Sequence, residues 1–460
     1  MIRLFRVYFP GRTLLLALSE ALVLVAVALP TGYAVLGSDA SSLVFRSEFA
    51  KLLIVVAVCM ACMHYHDLYN SMVLLNPLQG ATRLVQVLGS ACVILACIYY
   101  VYPGVQIDQT LLAIWILLAG VALIAWRKLF LTISQSARHT QRTVLLGAGP
   151  LAAQLATEIE SQPQLGLRLS GYLNAEPASA AELQHLTHLG PATRLGELLE
   201  QSEIRRVIVA TEGGQGRATV ESLVNAKTRG IVVDDGSEFF EAVTGRVDLN
   251  SLRASMLLFF EGFRFRPLVR LYKAAASLIL SLVGLILATP LMLAIAIVIR
   301  LDSPGPIIFR QKRVGKDGRP FTLYKFRSMY DSAAEAFRPA QVDDARCTRI
   351  GKWLRYTRLD ELPQLFNILR GDMHFIGPRP FALEEEQELA RQIPFYSNRW
   401  AVRPGATGWA QVRRGYNETL EDNIEKLAFD LYYIKHLSLG LDLLIILETI
   451  KILLLGRGAR

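Results

Sequence analysis

Cysteine is scarce in this chain. There are five in 460 residues; Cys59, Cys62, Cys92 and Cys97 lie inside apolar runs, and Cys347 stands alone. That pattern excludes a disulfide framework, and Cys59-x-x-Cys62 lacks the fold context of a redox or metal site, so the pair reads as packing. A gathered basic segment is missing too. Lys and Arg outnumber Asp and Glu by 49 to 40, yet no basic tail or uninterrupted basic helix collects them. The excess charge therefore suits an anionic membrane surface or phosphorylated substrates better than nucleic acid. No cleavable signal peptide is expected, because the first apolar stretch, about 13–36, is too long for a signal core and more hydrophobic segments follow. Hydrophobic residues make up 52% of the chain, so membrane segments are expected. The length accommodates two or three domains.

Four apolar runs, about 14–36, 50–68, 84–102 and 110–127, are each close to the roughly 18–20 residues that cross a hydrocarbon core. Arg3, Arg6 and Arg12 precede the first; Arg127, Lys128, Arg138 and Arg142 follow the fourth. The positive-inside tendency puts both flanks in the cytoplasm, with Asp39 and Asp108 in short outer loops and Arg83 in the inner one. His64, His66 and Asp67 end the second run and read as interfacial polar residues, since no further metal ligands accompany them. Residues 1–135 thus form a four-helix transmembrane module without chemistry of its own.

The character changes to soluble α/β over about 140–255. Thr143–Leu146 reads as a buried strand, followed by Gly147-Ala148-Gly149-Pro150-Leu151-Ala152 and a helix to Ile159. This is the G-x-G-x-x-A form of a dinucleotide fingerprint at a strand-to-helix junction. Strands are also predicted at Gly171–Leu173, Arg206–Ala210 and Gly230–Val233. A Rossmann-like fold follows, but not a cofactor. Asn174 stands after the second strand where the ribose-binding acid belongs, Glu176 is displaced, and Pro150 removes an N–H from the phosphate cradle.

A second kind of membrane segment runs from about 274 to 299. It is long enough to span, but Pro290 interrupts it and Arg270, Lys273 and Arg300 flank it. A full crossing would strand the basic stretch 310–327 outside the cytoplasm; a re-entrant helix keeps it inside, with Thr289 available for the proline-freed carbonyl. The apolar tail, about 437–455, carries Asp442, Glu448 and Lys451 and reads as an interfacial helix.

The most informative stretch is Thr357–Met373. Pro363 is tolerated only in a first helical turn and Gly371 suits a stop, so a short helix is predicted to begin near Asp360. Leu362, Leu365, Phe366 and Leu369 would form its buried face, with Gln364 and Asn367 on the polar side as support, beside Asp372. Asp360 and Glu361 then occupy a helix entrance that favours negative charge, either as phosphate chemistry or as an ordinary N-cap.

The surroundings weigh towards chemistry. Upstream run Ser303-Pro304-Gly305-Pro306-Ile307-Ile308-Phe309-Arg310-Gln311, Arg313-Val314-Gly315 and Tyr324-Lys325-Phe326-Arg327-Ser328-Met329. Downstream run Phe375-Ile376-Gly377-Pro378-Arg379-Pro380 and Arg403-Pro404-Gly405-Ala406-Thr407-Gly408-Trp409-Ala410-Gln411-Val412. In this order, about residues 265–460 resemble the bacterial sugar transferases, monotopic polyprenyl-phosphate glycosyl-1-phosphate transferases, whose larger members also carry a membrane bundle and a Rossmann-like module. From Ile2-Arg3-Leu4-Phe5-Arg6 onward the arrangement also resembles their exosortase-associated exopolysaccharide branch.

The resemblance implies a multi-domain bacterial inner-membrane protein: an α-helical transmembrane bundle, an α/β Rossmann-like domain, and an α/β catalytic domain on the cytoplasmic face with a re-entrant helix and interfacial helices. It implies transfer of a sugar-1-phosphate from a UDP-sugar to polyprenyl (undecaprenyl) phosphate with release of UMP, starting exopolysaccharide or capsule assembly. Asp360 would be the nucleophile and Glu361 the ligand of Mg²⁺. Arg355 and Lys325 would assist catalysis, and Arg379 would contact substrate phosphate. Arg310, Arg313 and Arg327 are helpers, some of which face lipid headgroups. Gln411 belongs to a Gly-rich loop suited to closing over the nucleotide, where Trp409 reads equally as an interfacial anchor. The bland alternatives are a surface-helix Arg355, a solvated strand-end Lys325 and an Arg379 that only anchors its proline turn. Whether the protein is a homodimer is left open. A different class, a nucleotide-sensing membrane regulator working through Gly147–Ala152, stays as the alternative. An NAD-dependent oxidoreductase is excluded, since no Tyr-x-x-x-Lys pair follows the Gly-rich loop in the middle domain.

Overall fold

The computed structural model of the chain describes all residues except 1, 5–6, 10, 37–47, 71–72, 74–75, 135–139, 179–180, 202, 212–215, 250–266, 331–343, 415–418 and 455–460. Arg6, Asp39, Arg138 and the expected boundary at 255–265 lie outside the described residues. Leaving aside residues 4–7, one compact unit runs to Phe239 and a second from Phe240 onward.

In the first unit, α1 (Gly11–Leu36), α2 (Glu48–Tyr65), α3 (Pro77–Val101) and α4 (Gln109–Ser134) form the front end. α1, α3 and α4 are long and apolar enough to cross a membrane; the apolar part of α2, Ala50–Tyr65, is shorter and ends before the 50–68 run does. Leu24, Cys59, Cys62, Met63, Val87, Trp115 and Leu123 pack at the centre, consistent with cysteines used as small hydrophobes. Arg127 is not a free flanking cation. α4 continues past it, and its guanidinium pairs with buried Glu20 on α1 (Nη2–Oε2 3.1 Å) while donating to the Leu68 carbonyl at 3.3 Å. Charges inside an apolar bundle persist when they find such partners.

The same unit contains a parallel sheet in the order β2-β1-β3-β4, built from β1 (Gln141–Leu146), β2 (Leu167–Leu173), β3 (Ile204–Val209) and β4 (Val232–Asp235). α5 (Pro150–Ser161) follows β1 through Gly147, whose φ of +120° and whose place 2.5 Å from the Ala210 carbonyl (measured from where a Cβ would sit) exclude any side chain. Asn174 turns its amide onto the Glu176 carbonyl (3.0 Å) within its own loop.

In the first unit α6 (Arg217–Thr228) leads into β4; in the second, α7 (Pro267–Asp302) is also long and apolar enough to cross a membrane. An antiparallel hairpin follows, β5 (Ile308–Val314) with β6 (Pro320–Phe326), in the register Phe309↔Lys325. Then come α8 (Arg349–Tyr356), a single 3-10 turn (Leu359–Glu361) and α9 (Gln364–Arg370). β7 (His374–Ile376) pairs in parallel with β8 (Gly405–Thr407), with α10 (Leu383–Gln392) between them in sequence. α11 (Trp409–Arg413), α12 (Leu420–Lys435) and α13 (Leu439–Leu454) complete the unit.

α9 turns only part of its expected face inward: Leu365, and Leu362 just before the helix, pack in the interior. On α9, Gln364, Asn367 and Ile368 are buried, whereas Phe366 and Leu369 are 45% and 37% exposed. Asn367 explains the difference. Fully buried, it accepts from the Tyr324 N–H (3.0 Å) and donates to the Thr322 carbonyl (2.7 Å), serving β6 as a neighbouring strand would. α13, read as an interfacial helix, buries Asp442 and Lys451 beside Leu441 and Ile445 and exposes Leu439, Leu443, Leu447, Ile450 and Leu453. Asp442 meets Lys273 of α7 at 3.0 Å and accepts from Tyr433 and Tyr272, so both Asp442 and Lys273 are committed to an internal ion pair. Thr289 donates to the Leu285 carbonyl (2.6 Å), one residue short of the carbonyl that Pro290 frees.

Candidate active site

Lys325, near the end of β6, and Arg379, between Pro378 and Pro380, converge on one oxygen. Each donates to Glu361 Oε1 at 2.9 Å. Lys325 Nζ also stands 4.0 Å from Asp360 Oδ2. The two carboxylates sit in the 3-10 turn, which Arg358 introduces with a left-handed φ of 57° that breaks the chain away from α8. Asp360 makes no side-chain cap bond, and neither does the residue that starts α9, so the capping reading does not describe it. Burial first, and then the charged groups around it, govern its charge rather than a helix entrance.

Asp360 is 8% exposed. Burial pushes its carboxyl above the usual range, Lys325 pulls it back, Glu361 adds to the rise, and Arg355 and Arg379 oppose it. For Glu361, burial also acts upward, but Lys325 and Arg379 together outweigh it and hold the group below the carboxylate range. Three cations thus face two carboxylates, leaving the site receptive to further negative charge.

Arg355 is held from α8, where its Nη1 donates to Cys347 Sγ at 3.1 Å. Gly351 sets the height of that helix: a methyl there would collide with the Ser328 carbonyl just beyond β6. Gly351→Ala should therefore lift α8, costing about 1–3 kcal/mol of stability and lowering turnover about tenfold to a hundredfold as Arg355 is misplaced. Thermal unfolding and turnover measured together check this; wild-type values for both would contradict it. A glycine inside the amphipathic stretch Arg349–Tyr356 was the sequence signal for this contact.

The other candidates make no hydrogen bond or ion pair with either carboxylate. Arg327 is buried and caps the C-terminus of α7, donating to Pro304 O (2.9 Å), Ser303 O (2.6 Å) and Ser303 Oγ (2.8 Å). Arg313 donates to Pro380 O at 3.0 Å, and burial first, then Arg379, brings its guanidinium down to about 10. Arg310 is exposed and lies over the Tyr324 ring, 5.9 Å from its centroid. Gln411 lies on α11 rather than in a loop and donates to Ala406 O of β8 (3.3 Å). Trp409 is buried and donates to the Gly245 carbonyl (2.7 Å), which settles it as a core residue.

A carboxylate pair, buried Asp360 and half-buried Glu361, stands among cations on a domain that carries a 36-residue apolar helix, an arrangement that suits a membrane-associated transferase. The chain belongs to the bacterial sugar transferase family, which matches residues 268–456; a CoA-binding domain family matches residues 64–224. A UDP-glucose:undecaprenyl-phosphate glucose-1-phosphate transferase of Xanthomonas campestris pv. campestris is 30% identical over 98% of this chain and 96% of its own length. A UDP-N-acetylgalactosamine-undecaprenyl-phosphate N-acetylgalactosaminephosphotransferase of Aeromonas hydrophila is 45% identical over 48% of the chain, which spans about half (52%) of that relative. Exopolysaccharide production protein PSS of Rhizobium leguminosarum bv. phaseoli is 41% identical over 39% of this chain and 92% of its own.

Proposed function

We propose that the protein transfers a sugar-1-phosphate from a UDP-sugar to undecaprenyl phosphate, releasing UMP, and so begins the assembly of an exopolysaccharide or capsule repeat unit. The observation that carries this reading is the convergence of Lys325 and Arg379 on Glu361 beside buried Asp360. Similar proteins are named for glucose and for N-acetylgalactosamine, so the reading commits to a class of donor, not to one sugar.

The reaction has two displacements. An Asp360 carboxylate oxygen attacks the β-phosphorus of the donor; the bond from that phosphorus to the bridging oxygen breaks, and UMP departs with the bridging oxygen. A phosphate oxygen of undecaprenyl phosphate then attacks the same phosphorus, and the Asp360 carboxylate leaves unchanged. Splitting the transfer this way replaces one encounter of two polyanions with two easier ones. Lys325, Arg355 and Arg379 offset the charge that gathers on the phosphoryl oxygens. The donor set at the dyad fits Mg²⁺: two hard carboxylates at most, a pattern in which substrate phosphates complete the coordination. Glu361 would hold the ion, which when bound supplies Lewis-acid stabilisation of the diphosphate.

Placement at the cytoplasmic face draws support from α7. Lys273 donates to Ile376 O (3.2 Å), Ser277 accepts from the Phe375 N–H (3.3 Å), and Ile295 and Ile299 pack with Phe326 and Leu354. At about 1.5 Å per residue, Lys273 and Ile299 are about 39 Å apart along the helix, more than the hydrocarbon core of about 30 Å. A helix docked on one globular domain at both places leaves no room for a bilayer between them, which favours entry into one leaflet over a crossing. The outward leucines of α13 and Phe366 of α9 suit contact with lipid.

The test is to assay the lipid-embedded protein with Mg²⁺, undecaprenyl phosphate and a panel of UDP-sugars. UMP should appear with one donor in step with a lipid-linked sugar diphosphate. No release from any donor by the folded protein would overturn the reading.

A further inference from the structure

Arg379 reaches Glu361 from a loop that has almost no freedom of its own. Pro378 and Pro380 remove two backbone N–H groups, and the neighbouring polar atoms are held one after another. The Gly377 N–H donates to Thr407 O (2.9 Å), and Pro378 O accepts from the Gly405 N–H (2.9 Å). Arg379 O accepts from Arg399 Nη2 (2.8 Å), Pro380 O from Arg313 Nη1 (3.0 Å), and the Phe381 N–H donates to Glu386 Oε1 (3.3 Å).

Arg399 is the hub of this arrangement. Its side chain is 4% exposed in the 3-10 segment Tyr396–Ala401. Nη1 donates to Glu386 Oε1 of α10 (3.0 Å) and to the Tyr396 hydroxyl (2.6 Å), while Nη2 serves both Arg379 O and Asp430 Oδ2 of α12 (2.8 Å). The Phe381 and Tyr396 rings lie 4.9 and 5.1 Å from the guanidinium carbon. A buried cation between two buried acids is self-sufficient as an ion triad; the bond to Arg379 O is additional, and it is aimed at the one loop residue whose side chain enters the site. Only the planar, five-donor guanidinium can serve all these acceptors at once.

We propose that Arg399 is a positioning residue for phosphoryl transfer, fixing the backbone of Arg379 so that its guanidinium meets Glu361 and the donor diphosphate. The proposal rests on the functional reading above. Its test is a double-mutant cycle in the full-length, lipid-embedded protein, with Arg399→Lys, Arg379→Ala and the two combined. Arg399→Lys keeps a cation between Glu386 and Asp430 but lacks the donors to hold Arg379 O as well. It should lower kcat/KM for the UDP-sugar about tenfold to a hundredfold and leave KM for undecaprenyl phosphate unchanged. In the Arg379→Ala background the same substitution should cost less than about twofold, because the residue it positions is gone. Asp430→Asn, which loosens Nη2 without removing Arg399, should show the same non-additivity at a smaller scale and serves if Arg399→Lys does not accumulate. Equal penalties in both backgrounds, or a matching rise in KM for the acceptor, would overturn the proposal and leave Arg399 a general structural residue. A wild type that releases no UMP from any donor refutes the functional reading and this proposal with it; additive penalties in a wild type that does release UMP refute this proposal alone.

Discussion

Asp360→Asn is expected to lower UMP release by on the order of a thousandfold or more while leaving the fold intact. The amide matches the carboxylate in shape but offers no anionic oxygen to phosphorus. Stability should hold, because the native carboxylate is buried and its burial works against ionisation; Lys325, Arg355 and Arg379 only partly offset that. Removing the charge relieves a desolvation cost as well as losing attraction, so the melting temperature should stay within a few degrees. Both half-reactions should disappear together, since both pass through the same oxygen. Single-turnover UMP release, with and without undecaprenyl phosphate, reads this directly. A variant within tenfold of wild type would remove Asp360 from the chemistry.

Glu361→Gln should be nearly as damaging, by about a hundredfold to a thousandfold, and for a different reason. Oε1 of Glu361 organises both Lys325 and Arg379 at 2.9 Å. Gln keeps an acceptor there but loses the charge, so Lys325, 4.0 Å from Asp360, is drawn towards that carboxylate. That blunts the nucleophile and removes the anionic oxygen proposed to hold Mg²⁺. The half-saturating Mg²⁺ concentration for UMP release should rise at least about tenfold, as expected when a carboxylate ligand is neutralised. A slower enzyme with an unchanged Mg²⁺ titration would assign Glu361 to the cations alone and withdraw the metal role.

The order of motifs made the core of the site legible. Asp360, Glu361, Lys325 and Arg379 meet within salt-bridge distance although they come from a turn, a strand and a proline loop. What could not be read was direction. Hydrophobic periodicity finds an apolar stripe, but a membrane protein has two apolar environments, and the pattern does not say which one a stripe faces. The Leu362–Leu369 stripe of α9 was therefore expected inside, yet Phe366 and Leu369 face outward while Asn367 completes the β6 edge. On α13 the charged residues that mark an interfacial helix pair inside the protein. Charge was misleading in the same way for Arg127, which a linear reading places at a cytoplasmic flank, and for Arg327, which it places near substrate or headgroups; the fold commits them to Glu20 and to the end of α7. Long-range partners such as Arg399 and Asp430 left no local signal, being distant in sequence and brought into direct contact only by the fold, beside the Arg379 carbonyl.

The central claim is the covalent step at Asp360, and isotope exchange tests it most directly. Labelled UMP would be incubated with the UDP-sugar, Mg²⁺ and the lipid-embedded protein, with no undecaprenyl phosphate present. The account predicts that label enters the UDP-sugar with wild type and not with Asp360→Asn, because the first displacement runs backward without the acceptor. Net transfer to undecaprenyl phosphate by a wild type that shows no such exchange would contradict it and point to a single direct displacement.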